Sequence, residues 1–219
     1  MALEVELKYP VLEFAPVRRA LAGIGAQCLG AVFERNEVFD SPAPGGDAQG
    51  ASGRLRDAGM VLRLRQDIPG KSGTTGGAGH CGLLTLKLPP PPGAPEGFKV
   101  RREIETRVED LAAMRDILSG LGFAGSLCYE KVRETWKLGE LSVCLDRLPF
   151  GCFVELEGPP GDILAWADRL GLQAASASTA TYHDLHLEHL DRLGLPRRDS
   201  FVFDPDTAAL LVENPALGA

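Results

Sequence analysis

A chain of 219 residues, 44% hydrophobic and 24% charged, is long enough to bury one substantial core. Its net charge of -7 argues against nucleic acid as a partner, because phosphate backbones are held by basic surfaces. No run has the length of a membrane span or the pattern of a signal peptide, so a soluble cytoplasmic protein is expected, either a monomer or a homodimer.

The chain opens with Glu4-Val5-Glu6-Leu7-Lys8, where charged and apolar residues alternate. In an extended strand Glu4, Glu6 and Lys8 share one face. Two adjacent carboxylates repel unless a cation sits between them, and the neighbouring lysine adds a place for an anion, so a metal-bound polyphosphate fits both. A solvated edge strand is the plainer alternative. Residues 11–30 then carry apolar side chains at helical spacing, including Val17, Leu21 and Ile24, and predict a helix ended by glycines.

Short alternating segments follow at 34–39, 60–66, 83–88, 99–108, 129–137, 141–148 and 152–157, each predicting a strand with one polar face. With the first segment they number eight, enough to close an antiparallel barrel around one small ligand. Helices are expected at 108–121 and 162–170. The fold class is therefore α+β, a closed eight-stranded antiparallel β-barrel with flanking helices. The glycine- and proline-rich stretches 41–53 and 69–82 are expected to be mobile loops. Gly70-Lys71-Ser72 is not a phosphate-binding P-loop, because Arg65 stands where the motif needs glycine and no helix is expected after it. Residues 1–195 are expected to form the domain, with 196–219 a tail that packs on it or stays disordered.

Charge keeps recurring at period two. Arg63 and Arg65 flank Leu64, Thr85 and Lys87 flank Leu86, Arg101, Glu103 and Glu105 share a parity, and so do Lys131 and Arg133, and Glu155 and Glu157. Arg102 has the parity opposite to Arg101. In a closed barrel these faces converge on the lumen, where basic groups grip phosphate oxygens and carboxylates hold magnesium or manganese.

The opening E-x-E-x-K, Phe39-Asp40-Ser41-Pro42, Leu62-Arg63-Leu64-Arg65, Leu84-Thr85-Leu86-Lys87, the Arg101 to Glu105 block, Lys131-Val132-Arg133, Asp146 and Glu155-Leu156-Glu157 run in one order. In that order they resemble the CYTH superfamily, named for class IV adenylate cyclase and thiamine triphosphatase and also called the triphosphate tunnel metalloenzymes. The resemblance implies a tunnel in which Glu4, Glu6, Glu155 and Glu157, joined by Asp146, bind Mg2+ or Mn2+. It implies that Lys8, Arg63, Arg65, Lys87, Arg101, Lys131 and Arg133 line the phosphate path, and that Glu103 and Glu105 hold a second metal or balance the arginines. Glu4, Glu6, Lys8 and Asp146 are the catalytic candidates.

Two reactions use such an apparatus. A triphosphatase directs water at the terminal phosphorus, whereas a cyclase directs the ribose 3′-hydroxyl at the α-phosphorus with loss of pyrophosphate. The resemblance leans toward the cyclase branch through the 21–26 segment with its Gly-Ala turn, the 36–42 block and Leu121-Gly122-Phe123. Hydrolysis of inorganic, thiamine or nucleoside triphosphate is the alternative. A non-catalytic polyphosphate- or nucleotide-binding module is a second one, because residues 173–181 lack the basic residue that many relatives place before a final Ser-Tyr, here Thr181-Tyr182.

Other patterns have simpler readings. His183, His186 and His189 spread around a helix too widely to share one metal and are read as a solvated face. Cys81 beside His80 has no evident third partner for nucleophilic chemistry. The five cysteines, Cys28, Cys81, Cys128, Cys144 and Cys152, are widely spaced, odd in number and lack a C-x-x-C pair, so reduced thiols are expected, most of them in the core. Trp136 and Trp166 read as packing residues, with Trp136 placed to reach a tunnel rim.

Overall fold

The computed structural model describes residues 2–41, 53–70 and 81–218. Among them, eight strands close into an antiparallel barrel in the order β1-β5-β4-β3-β2-β6-β7-β8. The strands are β1 Ala2–Val11, β2 Gln27–Asp40, β3 Val61–Pro69, β4 Cys81–Leu88, β5 Lys99–Val108, β6 Ala124–Leu138, β7 Leu141–Leu148 and β8 Gly151–Glu157. The expected barrel and its strand count are confirmed, with the margins of six strands moved, those of β2 and β6 the most. β2 and β6 extend well past the predicted 34–39 and 129–137, pairing from Gln27 opposite Lys137 to Asp40 opposite Ala124. Residues 27–30 and 124–126 are exposed, so they lack the apolar alternation by which a strand is read. The predicted helix over 11–30 is shorter for the same reason. It is α1, Ala15–Gly23, and Gly25 at φ +74° ends the turn before the chain enters β2.

The barrel wears its hydrophobic core on the outside. On β1, Val5, Leu7 and Tyr9 face outward and pack with Leu145, Val154 and Leu156 of β7 and β8 against α1 and the helix α4, Pro160–Arg169, whose Ile163 and Ala167 are buried. The helix α3, Leu111–Gly120, capped by Asp110 accepting from the Ala113 amide, covers Leu62, Leu64 and Phe39. Trp136 belongs to the first cluster, as a packing residue, with its indole N–H donating to Glu134 at 2.6 Å. Trp166 packs against the same cluster and carries the Arg169 guanidinium over its ring.

Three further helices complete the description: α2, Arg54–Asp57, at the barrel mouth; α5, Tyr182–Arg192, which opens on a capping box between Thr181 and Asp184; and α6, Pro205–Glu213, capped by Asp204. Residues of the tail pack on the barrel, with Phe203 and Leu211 against Phe33 and Val132, and Phe201 against Leu148, Phe153 and Tyr182. The three histidines lie on α5 but do not form a uniformly solvated face. His186 is buried against Phe201, His183 contacts Asp199 at 2.7 Å, and His189 accepts from Arg192. Only Cys144 of the described cysteines is buried, with its thiol pushed up to about 12 by burial; Cys28 is exposed and Cys128 and Cys152 lie between. Of the stretches 41–53 and 69–82 expected to be mobile loops, the second is cut back at both ends, where Pro69 ends β3 and Cys81 and Gly82 open β4. Residues 42–52 and 71–80, Lys71 and Ser72 among them, and the Cys81–His80 pairing lie outside the described residues and side chains. No helix among the described residues is long and apolar enough to cross a membrane.

Because the core lies between barrel and helices, Leu156→Ala, at a fully buried position, should cost about 2–5 kcal/mol in denaturant unfolding. Leu164→Ala, on the exposed side of α4, should stay within about 0.5 kcal/mol of the parent.

Candidate active site

Alternation directs the second set of side chains inward, and the lumen holds charge where most barrels hold hydrocarbon. A cavity of about 510 Å³ is lined by Glu4, Glu6 and Lys8 of β1, Arg63 and Arg65 of β3, Lys87 of β4, Lys99, Arg101, Glu103 and Glu105 of β5, Tyr129, Lys131 and Arg133 of β6, and Glu155 and Glu157 of β8. Every phosphate-path candidate read from the sequence reaches it, and Arg102 does not line it. Asp146 sits just beneath, fully buried.

The acids gather on two adjacent strands. Glu6 stands opposite Glu157 and Lys8 opposite Glu155 in the β1–β8 register, with Glu4 one step along. Burial raises Glu157 to about 7, and the carboxylates of Glu4 and Glu155 push in the same direction. Such an oxygen-only, charge-crowded donor set suits a hard divalent cation. Ammonium groups stand among these acids. Lys8 pairs with Glu6 and, at 3.0 Å, with Glu155; Lys99 reaches Glu6 at 2.6 Å; Lys87 bonds Glu4 at 2.9 Å and also Glu103. Burial by itself lowers the Lys8 pKa, but Glu155 and Glu6 outweigh it and hold the ammonium well above its usual range. Among the described residues, no three His, Cys, Asp or Glu groups are already drawn together as a cage for a metal ion.

Asp146 plays a different part from its neighbours. Its two oxygens receive Arg133, Lys131 at 3.2 Å and the Tyr182 hydroxyl at 2.7 Å, so it orients two cations from below and has little left to offer the cavity. Arg133 is held from a second side by Glu155 at 2.9 Å. Glu105 lies apart from the β1–β8 acids, accepting from Thr85 at 2.8 Å and lying 3.9 Å from Arg63. Arg101 turns to the rim, where it donates to the Gly59 carbonyl at 2.9 Å. Asp40 also builds that rim, accepting from the Leu55 and Arg56 amides at 2.9 and 3.0 Å and so anchoring α2.

Four groups of this cluster were absent from the site residues expected from sequence: Glu34, Lys99, Tyr129 and Tyr182. Three carry a usable signal, since Lys99 shares parity with Arg101, Tyr129 with Lys131, and Glu34 with Asn36 inside a polar strand. Tyr182 comes from α5, which strand alternation does not reach. Glu34 is buried beneath the arginines, 3.5 Å from Lys131 and 3.7 Å from Arg65. Burial pushes its carboxyl up, but Lys131, Arg65 and Arg133 prevail and bring it to about 2.

Its folded value lies below the ordinary 4.5, so Glu34 contributes stability that is complete above about pH 4.5 and is lost as the pH falls toward 2. Glu34→Gln should therefore lower the melting temperature at pH 7, and the gap to the parent should close on acidification. A gap that is constant from pH 7 to pH 2.5 would contradict this.

Comparison with known proteins places this geometry. The family model for the CYTH domain matches residues 2–182. A protein of Methanocaldococcus jannaschii that carries the provisional name of an adenylate cyclase is 27% identical over 162 residues, which is 74% of this chain and 79% of that one. A solved structure from Vibrio parahaemolyticus, also provisionally named an adenylate cyclase, superposes with a TM-score of 0.66 at 21% identity, covering 84% of this chain and 97% of the other. A Hippeastrum protein described as an adenylyl cyclase candidate with a dominant triphosphatase activity superposes at 0.56 with 19% identity, covering 90% and 98%. With a charged lumen in the closed barrel and the family match over most of its length, this chain belongs to the CYTH family.

Proposed function

We propose that the protein is a divalent-metal-dependent enzyme acting on a triphosphate, with cyclisation of ATP to cyclic AMP and pyrophosphate favoured over hydrolysis. The observation that supports this most is the gathering of crowded carboxylates and guanidinium groups in one cavity. Carboxylates Glu4, Glu6, Glu155 and Glu157 occupy β1 and β8, while Arg63 and Arg65 rise from β3, which lies across the ring. Arg63, Arg65, Lys87, Lys131 and Arg133 bind phosphate oxygens, with Arg101 at the rim. Glu4, Glu6, Glu155 and Glu157 would hold magnesium or manganese, with Glu103 adjoining through Lys87. The bound ion supplies a Lewis acid that offsets charge developing on the phosphoryl oxygens.

The internal pairs give binding a particular character. Lys8 and Lys87 neutralise the very carboxylates assigned to the metal. Phosphate oxygens would draw these ammonium groups away and leave the carboxylates free to hold a cation. Asp146 acts as a positioning residue that keeps Arg133 and Lys131 aimed upward, and Glu105 balances Arg63.

The preference for cyclisation draws on the naming of the Methanocaldococcus jannaschii relative and on a cavity whose volume lies in the range of sites that enclose whole small-molecule ligands. Cyclisation needs the ribose 3′-hydroxyl held against the α-phosphorus, with pyrophosphate leaving on the far side. Hydrolysis of inorganic, thiamine or nucleoside triphosphate is the second reading, favoured by the activity described for the Hippeastrum protein of the same fold.

Product analysis after incubation with ATP and, separately, inorganic triphosphate, each with magnesium or manganese, tests the proposal. Cyclic AMP with pyrophosphate is the expected outcome. Orthophosphate without cyclic AMP would establish a triphosphatase, and turnover of neither substrate would leave only a binding module. Glu4→Ala and Glu157→Gln should each reduce turnover by about a hundredfold or more. The melting temperature of Glu157→Gln should be kept or raised, because it relieves crowding among lumenal carboxylates, whereas Glu4→Ala also removes one of the two partners of Lys87.

A further inference from the structure

We infer that the segment beyond the matched domain builds one wall of the substrate cavity, and that this wall, centred on Phe201 and Tyr129, receives a planar heteroaromatic group carried by the triphosphate. The inference rests on the triphosphate reading above and names the class of its organic half.

The wall exists because β6 outruns its partner. β7 begins pairing with β6 only at Val132, opposite Arg147, which leaves one edge of the preceding residues open. The tail fills it. Phe201 donates its amide to the Cys128 carbonyl at 3.1 Å, and its carbonyl accepts from the Glu130 amide at 3.1 Å, a parallel bridge beside Tyr129. Ser200 Oγ accepts from the Cys128 amide at 3.0 Å, and the Phe203 amide donates to Glu130 Oε2 at 3.1 Å. The backbone of Phe201 is thus tied down from both sides, and the sequence that does this lies outside residues 2–182.

The ring of Phe201 stacks on Tyr129 with centroids 5.1 Å apart and planes 22° from parallel, and Phe150 meets it edge-on at 5.4 Å. Phe201 and Tyr129 both line the cavity, together with Val38, Leu127 and Val61. These aliphatic groups belong with them, since Val38 stands opposite Leu127 on one side and Arg63 on the other. The Tyr129 hydroxyl lies 3.5 Å from Arg63, so the aromatic wall begins where a phosphate-gripping arginine ends. A bare triphosphate presents oxygen on every side and gains nothing from such a wall. A heteroaromatic ring has a π face to lay against it, and one stacked base is worth about tenfold or more in affinity.

Equilibrium binding of ATP, thiamine triphosphate and inorganic triphosphate, with calcium replacing magnesium to slow turnover, tests the assignment. The parent should bind at least one organic triphosphate about tenfold more tightly than inorganic triphosphate, and F201L, which keeps apolar bulk but removes the buried ring that backs Tyr129, should shrink that preference to about threefold or less. A preference for ATP identifies a nucleobase as the group received, and a preference for thiamine triphosphate identifies the thiamine rings. A second measurement on the unaltered chain does not depend on the variant folding: the ultraviolet band of the preferred ligand should show hypochromism on binding. Equal affinity for all three ligands, an undiminished preference in F201L, or an unchanged band would overturn the inference while leaving the triphosphate site standing. Binding of none of the three would overturn both.

Discussion

A sheet whose inner face is charged can close only if each charge finds its counter-charge inside the ring. Isolated ions in a low-dielectric interior cost several kcal/mol each even after relaxation, and pairing must cancel most of that. The lumen meets the condition by interleaving. Lys8 is shared by Glu6 and Glu155, Lys87 by Glu4 and Glu103, and Arg133 by Asp146 and Glu155. Glu34 performs the same service for Lys131 and Arg65. The hydrophobic stabilisation then has to come from elsewhere, which is why Val5, Leu7, Leu145 and Leu156 point away from the lumen into the layer under α1 and α4.

This division of labour separates stability from chemistry. A lumenal substitution disturbs a network of charges that are mutually compensated, whereas an outer-face substitution opens a cavity in close-packed hydrocarbon. Asp146 and Glu157 mark the two extremes within the network. Asp146 is saturated by Arg133, Lys131 and Tyr182, while Glu157 is surrounded by other carboxylates and holds its proton up to about neutrality. A polar interior that is everywhere satisfied would be a strut; one that leaves some members crowded is a receptor for a cation.

Much of this was legible because period-two alternation is a direct geometric statement about which way a side chain points. Glu4, Glu6 and Lys8, the arginines of β3 and the Glu155–Glu157 pair were all assigned to the lumen on that ground, and the barrel places them there. Alternation failed where a strand had no apolar face to alternate with, as in residues 27–30 and 124–126, and it gave no view of groups delivered by helices, such as Tyr182. The tail was hidden for another reason. Its apolar residues Phe201, Phe203 and Leu211 answer pockets on the barrel and do not follow a local period, although Asp204-Pro205-Asp206-Thr207 is a readable helix start. Likewise Asp146 could be recognised as lumenal but not as saturated, because its three partners come from two separate elements.

The pairing order of the strands also has a temporal side. β1 is the first of the barrel strands in chain order, yet its partners are β5 and β8, so one of its edges stays unpaired until residue 157 has emerged. Even then the free edge of β6 waits for residues 200–203. Closure therefore waits for the last barrel strand and the segment that follows it, and contacts of such wide sequence separation make for slow folding. Through that interval the unpaired edges of β1 and β6 are exposed to other chains, and the alternating charges that later serve the lumen are the side chains that discourage strangers from pairing there.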